Sequence, residues 1–286
     1  MEILHSAVPD HRLAPFVRCL VQRETMPGFA AITQQNIASL GPILSFDLGG
    51  QVVMAPLGRR PYFHAQIHLF GTQTRYSGHA CLSGHVLGFA IFFQPFALWQ
   101  LVGIPLGELV DHNGDATGVL GSWIAELWHK LGEAKTFSER VALATETLLG
   151  FLKADRPLTP IMSTVHRLLP SNEAAKIYQV ARESAMSVRS YERQFVREMG
   201  FSPKMFARLV RFEKAVDMKR LGRDSWLNVS HDLGYFDQMH MIRDFRTFGG
   251  DTPGRLVLPN SDFNPWSRNL LSLHEPGLGI QEGNME

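Results

Sequence analysis

Cysteine is scarce in this chain: Cys19 and Cys81 are the only two in 286 residues, far apart and without CxxC spacing. That scarcity excludes a cysteine cluster able to hold a metal-bound thiolate, and leaves two reduced cysteines packed as small hydrophobes. No apolar run reaches about 18 residues, which excludes a membrane-spanning helix. The first residues, MEILHSAVPDHR, are charged and lack a signal peptide's apolar centre, so the expected compartment is the cytoplasm. GxSxG, HExxH and phosphate-binding loops are missing as well, so no catalytic residue and no cofactor is nominated. Histidine is more plentiful, and eight of the twelve precede residue 161. His64 and His68 share a face in PYFHAQIHLF, and His79 or His85 would be their partners at a metal. The spacing fits no metal motif and shows no nearby carboxylate, so no metal is expected.

What is present describes an ordinary globular protein, with 45% hydrophobic and 19% charged residues and a length that favours two domains. The net charge of +1 hides an uneven distribution. Residues 1–160 hold 11 Lys+Arg against 12 Asp+Glu, a net −1; residues 161–258 hold 16 against 11, a net +5; the last 28 hold 1 against 4, a net −3. Twelve of the sixteen basic residues in the middle segment are arginine, whose fork suits phosphates and guanine edges.

The first half reads as strands followed by helices. ILSFDLGGQVVMAP has two apolar runs around Gly49-Gly50, which predicts a hairpin; AQIHLFG and VLGFAIFF predict further strands, the second buried on both faces. Leu120, Trp123, Ile124, Leu127 and Leu131 mark one face of a helix, and Thr136 with Glu139 predicts a capping box opening a second helix that runs to about Lys153. The fold expected for residues 1–156 is therefore α+β, a small β-barrel-like unit with flanking helices, used to sense a ligand or to dimerise. KADRPLTP, residues 153–160, is the expected linker. Residues 259–286, rich in Pro, Gly and Asn, are an expected loosely ordered tail.

Residues 157–258 read as all helical and contain one small unit twice. NEAAKIYQVARESAM predicts a short helix, Ser187 caps the next, and that helix stops at Gly200. Tyr191 and Phe195 lie four apart on its inner face, and Arg189, Arg193 and Arg197 lie four apart on the other. A row of like charges is costly in isolation and is explained by a polyanion. Ser202-Pro203 starts a third helix of about 27 Å, and the unit then recurs in SWLNVSHDLGYF and QMHMIRDFRTFG, with Asp237 as the second cap. Here Met241, Phe245 and Phe248 face inwards, and Met239, Arg243 and Arg246 outwards. Two helix-turn-helix units on a stiff connector suit successive major grooves, about 34 Å apart. An all-helical protein-binding bundle is the alternative reading of the same repeat.

SVRSYERQFVREMGFSPKMF, Arg211 with Ala215, and GYFDQMHMIRDFRTFGGDTP resemble the DNA-binding domain of the AraC/XylS (arabinose-regulator) family of bacterial transcription factors. The resemblance covers about a third of the chain. It implies base-reading positions at Arg189, Glu192 and Arg193 in the first unit and at Gln238, Met239, Ile242 and Arg243 in the second. The helical wheel agrees except at Ile242, which it places nearer the core; Arg197 and Arg246 join the set from the outward faces. Ser230 and Met241 depart from the family's usual Ala and Phe. Met239 offers only apolar contact, for instance to a thymine methyl. Double-stranded DNA is thus the expected partner. A small-molecule effector, RNA polymerase and a second copy of the chain are the further partners of such a regulator; no membrane is. The rings between Phe46 and Trp99 either fill a core or line a site for an apolar ligand, with Phe63, Phe70, Tyr76 and Phe92 as its candidates. The helices around Trp123 and Leu148 are candidates for the dimer contact. Two alternatives stay open, a constitutive or architectural DNA binder and a DNA-associated enzyme using an alkyl-accepting cysteine.

Overall fold

The computed structural model describes residues 2–28, 31–152, 156–169, 186–220 and 225–256. Among these, eight strands form one sheet: β1 (Glu2–Ala7), β2 (Val17–Thr25), β3 (Ile32–Asn36), β4 (Ile43–Pro56), β5 (Tyr62–Phe63), β6 (Ile67–Phe70), β7 (Gly78–Phe93) and β8 (Asn113–Asp115). All the pairings are antiparallel, in the order β1-β2-β7-β4-β6-β8, with β3 added to β7 and β5 to β4. The sixteen-residue β7 is the spine: its first half pairs with β3, its second with β2, and β4 runs along its whole other side. Buried on both faces, its end reads as the unbroken apolar run VLGFAIFF, as expected.

The expected hairpin at Gly49-Gly50 does not form. β4 passes through both glycines as one fourteen-residue strand, with register shifts against β7 between Asp47 and Gly49 and between Gly49 and Gln51. Gly50 sits at φ 83°, and a Cβ there would lie 2.2 Å from the His85 carbonyl oxygen. The pair is a bulge in a long strand, and at Gly50 only glycine fits.

Helices follow at α1 (Ala97–Val102), a 3₁₀ turn (Leu106–Leu109), α2 (Thr117–Leu120), α3 (Trp123–Glu133) and α4 (Phe137–Phe151). Ile124, Leu127 and Leu131 are buried on α3, and the Thr136–Glu139 capping box opens α4 as expected. Arg140 locks the two helices to the sheet, donating to the carbonyls of Leu131 (3.1 Å) and Ala134 (2.5 Å) and to Gln22 Oε1 (2.8 Å). Leu148 is spent inside this core, and Trp123 packs edge-on against Phe151 at 4.8 Å. Leu148 therefore offers nothing to a dimer face.

Beyond residue 156 every described element is helical: α5 (Pro160–Leu168), α6 (Val188–Met199), α7 (Pro203–Arg220), α8 (Trp226–Asp232), α9 (Gln238–Gly249) and α10 (Pro253–Leu256). Most of the expected helix NEAAKIYQVARESAM, part of the 153–160 linker and the 259–286 tail lie outside the described residues. The chain is thus an α+β sheet domain with flanking helices, followed by an all-α helix-turn-helix domain in which α7 joins two units. The two halves share an apolar core: Ala38, Leu40, Phe96 and Leu106 pack with Tyr191, Phe206, Phe212 and Phe245.

Candidate nucleic-acid interface and cavity

The first reading helix, α6, is fixed at both ends by its own sequence. Ser187 Oγ accepts the Ser190 N–H at 3.2 Å, and Gly200, at φ 79°, donates its N–H to the Val196 carbonyl at 2.8 Å. Tyr191, Phe195 and Met199 are buried, with Phe195 packed against Phe201 and Phe206. That burial leaves Arg189, Arg193 and Arg197 exposed on the opposite face and Glu192 partly so. The far end of α6 abuts the sheet domain. A Cβ at Gly200 would meet Val110 Cγ2 at 2.5 Å and Gly107 Cα at 2.8 Å, and Thr159 donates to Glu198.

The second reading helix, α9, repeats the plan. Asp237 Oδ1 accepts the His240 N–H at 2.6 Å, and Gly250 ends the helix at φ 85°. Met241, Phe245 and Phe248 are buried; Gln238, Met239, Arg243 and Arg246 are exposed, and Ile242 lies between, as its place on the wheel anticipates. The connector α7 is the anvil for this unit. Its Phe212 packs on Phe245 and Phe248, its Arg208 binds the buried Asp244 carboxylate at 2.8 and 2.9 Å, and its Arg211 lies 5.1 Å over the Tyr235 ring. Arg211 also donates to the Gly234 carbonyl at 3.2 Å, and Ala215 is fully buried one turn on. Ser230 and Met241 are buried where they stand, so these departures from the family's usual residues are absorbed in packing.

The sheet domain and α7 line a cavity of about 110 Å³. Val52, Met54, Leu82 and Phe92 make most of its wall apolar. The polar edge holds Arg23, Gln34 and Asn36 from β2 and β3, with Arg23 bound to Glu2 (2.9 Å) and to Gln34 Oε1 (2.6 Å). The Asn36 amide nitrogen is buried and has no hydrogen-bond partner among the described residues. Opposite, His64 Nδ1 lies 2.8 Å from Asp47 Oδ2 and its ring stacks on His68 at 3.9 Å. Asp47 is a carboxylate partner that the sequence does not bring near His64; it arrives because β4 is continuous. Among the described residues no group of three potential metal ligands forms. The remaining wall comes from α7, through Phe212, Glu213, Val216 and Asp217.

Of the ligand candidates, Phe70 and Phe92 line this cavity, while Phe63 is 67% exposed at a hairpin tip and Tyr76 sits elsewhere, its ring against Gly250 and its N–H donated to the Thr247 carbonyl. The polar residues Arg23, Gln34 and Asn36 escape sequence reasoning, although a charged residue inside VRCLVQRET is a signal that one strand face meets something polar. Cys19 is buried, and burial pushes its thiol up to about 12. It therefore stays protonated at neutral pH and lacks the thiolate an alkyl acceptor needs.

A family model described as a helix-turn-helix domain matches residues 180–257, the segment that carries α6, α7 and α9. This segment is an AraC-type helix-turn-helix domain. The chain is a DNA-binding transcription regulator. The sheet domain matches a second model over residues 5–115, a domain of unknown function (DUF6597). No curated protein sequence matches the chain. Among solved structures it is similar to apo ToxT from Vibrio cholerae strain SCE256, at TM-score 0.47 and 11% identity, over 87% of this chain and 97% of that one. Unsaturated-fatty-acid-bound wild-type ToxT from the same strain gives TM-score 0.43 and 9% identity, over 96% and 97% of the two chains. The AraC-like transcriptional activator CuxR gives 0.30 and 13%, over 78% and 82%. Among the described residues no helix is long and apolar enough to cross a membrane.

Proposed function

We propose that residues 157–258 read an asymmetric duplex site through α6 and α9, and that residues 1–156 bind a small effector in the cavity between the sheet and α7. The observation that carries the first part is the repeat of one unit with the same polarity, apolar residues inward and arginines outward, on a common helix. Arg189, Glu192, Arg193 and Arg197 serve the first half-site, and Gln238, Met239, Arg243 and Arg246 the second, with Ile242 at its margin. Direct readout at guanine falls to the arginines.

The cavity supports the effector-sensing reading over that of a constitutive binder. An apolar wall with one unpartnered amide donor, Asn36, suits a small apolar molecule carrying a hydrogen-bond acceptor. Because Phe212 and Glu213 of α7 form part of the wall, an effector that binds one placement of α7 more tightly than another shifts DNA affinity.

Selection of sites from random duplex DNA by the full-length chain tests the reading. The expected product has two blocks about 10 bp apart, with affinity that falls steeply with salt. No enrichment at low salt overturns it and returns the repeat to a protein-binding bundle.

A further inference from the structure

The two reading helices begin differently, and the difference lies in one residue at the entrance to each. Aligned on their caps, Ser187 and Asp237, the residue before the cap is Met186 in the first unit and Phe236 in the second. Met186 packs against the domain core. In the second unit that packing is done one residue earlier by Tyr235, which is buried between Arg211 and the edge-on His240 ring. Phe236 is displaced outwards and is 92% exposed, more than any other large apolar side chain among the described residues. Met239, three residues on, is 55% exposed.

Met239, Arg243 and Arg246 are spaced four and three apart and form one stripe along the outer face of α9, and Phe236 stands exposed in the turn that leads into it. The apolar pair occupies the N-terminal end, the part of a recognition helix whose residues contact base edges in the major groove, and the guanidinium groups follow along the same face. The first unit has Arg189 where the second has Met239. An exposed phenyl ring and thioether beside two arginines, on a helix whose inner face is fully committed, suit a partner that is anionic at its edges and apolar at its centre. Duplex DNA presents such a surface in the major groove at thymine, through the C5-methyl group.

We infer that Phe236 and Met239 form a thymine-methyl reader, so that the second unit adds apolar contact at its half-site where the first has hydrogen bonds from Arg189. Phe236 is then a specificity-determining residue that the helical face alone does not reveal. This rests on the assignment of α9 to the groove, and the test separates the two.

A duplex site obtained with the full-length chain is resynthesised with deoxyuridine in place of each thymine in turn, which removes one methyl group and no base-pairing group. The wild-type protein is expected to bind about fourfold more weakly at each contacted thymine of one half-site, the factor that roughly 0.8 kcal/mol per buried methyl group gives. Phe236→Ala combined with Met239→Ala is expected to bind thymine and uracil forms alike. Both side chains are exposed, so its thermal unfolding should match the wild type. Wild-type binding that is indifferent to uracil at every position overturns the inference, as does discrimination that persists unchanged in the double variant; either result leaves the apolar pair to a protein partner. Failure to bind any duplex overturns the groove assignment itself.

Discussion

The Glu213 carboxylate of α7 accepts the backbone N–H of Leu40 at 2.7 Å, joining the connector of the DNA-binding half to the sheet domain through a charge-assisted bond. Arg18 stands 3.8 Å from its second oxygen, and all three groups are largely withdrawn from water. The same residue lines the cavity. One side chain of the helix that joins both reading units therefore touches the cavity and the sheet domain.

Removing the carboxylate leaves the Leu40 N–H without its partner. Glu213→Ala is expected to cost roughly 1.5–3 kcal/mol in chemical unfolding, the range for a hydrogen bond to a charged group. Glu213→Gln keeps an acceptor and should recover part of that loss. If the two variants unfold alike, the Leu40 bond does not hold the halves together.

Gly200 ends α6 and faces Gly107 and Val110 of the sheet domain. Gly200→Ala meets two penalties, the left-handed φ of 79° and a Cβ 2.5 Å from Val110 Cγ2. Gly234, at φ 66° with nothing within 4 Å, meets only the first. Gly234→Ala should cost about 1 kcal/mol and Gly200→Ala distinctly more, about 2–4 kcal/mol, by urea titration. Equal costs would mean that α6 does not press on the sheet domain.

The helical half was legible because its signals are local. Ser187, Asp237, Gly200 and Gly250 fix helix ends within a few residues of themselves, and the alternation of Phe195 with Arg193 and Arg197 sets the inner and outer faces. Phe236 escaped because it stands in the turn, where helical periodicity says nothing about direction; its exposure follows from Tyr235 taking the inward place. The sheet half was legible only in part. VLGFAIFF declares burial by composition alone, but Gly49-Gly50 signals either a turn or a bulge, and the choice is made by β7, pairing across some thirty to forty residues of chain. The cavity was hidden for the same reason: Arg23, Asn36, Val52 and Phe212 are assembled from four distant segments, and no spacing between them exists to be read.

Arg208 binds Asp244, which is almost completely buried beneath α9, with Nε and Nη2 both on one carboxylate oxygen. Arg208→Met strands that carboxylate and is expected to cost roughly 3–5 kcal/mol. Adding Asp244→Leu removes the stranded charge and should restore most of the loss, since an apolar pair of similar size often replaces a buried ion pair without penalty. A double variant no more stable than Arg208→Met in denaturant titrations would show that the pair does more than balance charge.

His68 sets how the sheet domain responds to acid. It is fully buried, stacked on His64 and bonded to Asn113 at 2.5 Å, and burial followed by the neighbouring His64 holds its pKa down at about 3 against an ordinary 6.5. The folded state therefore keeps this ring neutral while the unfolded chain takes up a proton below pH 6.5, so stability is lost as the pH falls from 6.5 towards 3. The slope approaches 1.36 kcal/mol per unit, which amounts to about 2 kcal/mol between pH 7.5 and pH 5 from this one residue. His68→Gln, which keeps a hydrogen-bonding group and cannot charge, should start less stable at pH 7.5 and lose about 2 kcal/mol less on the way to pH 5. Unfolding free energies of the two proteins across that range decide the matter: parallel curves would place the acid sensitivity elsewhere.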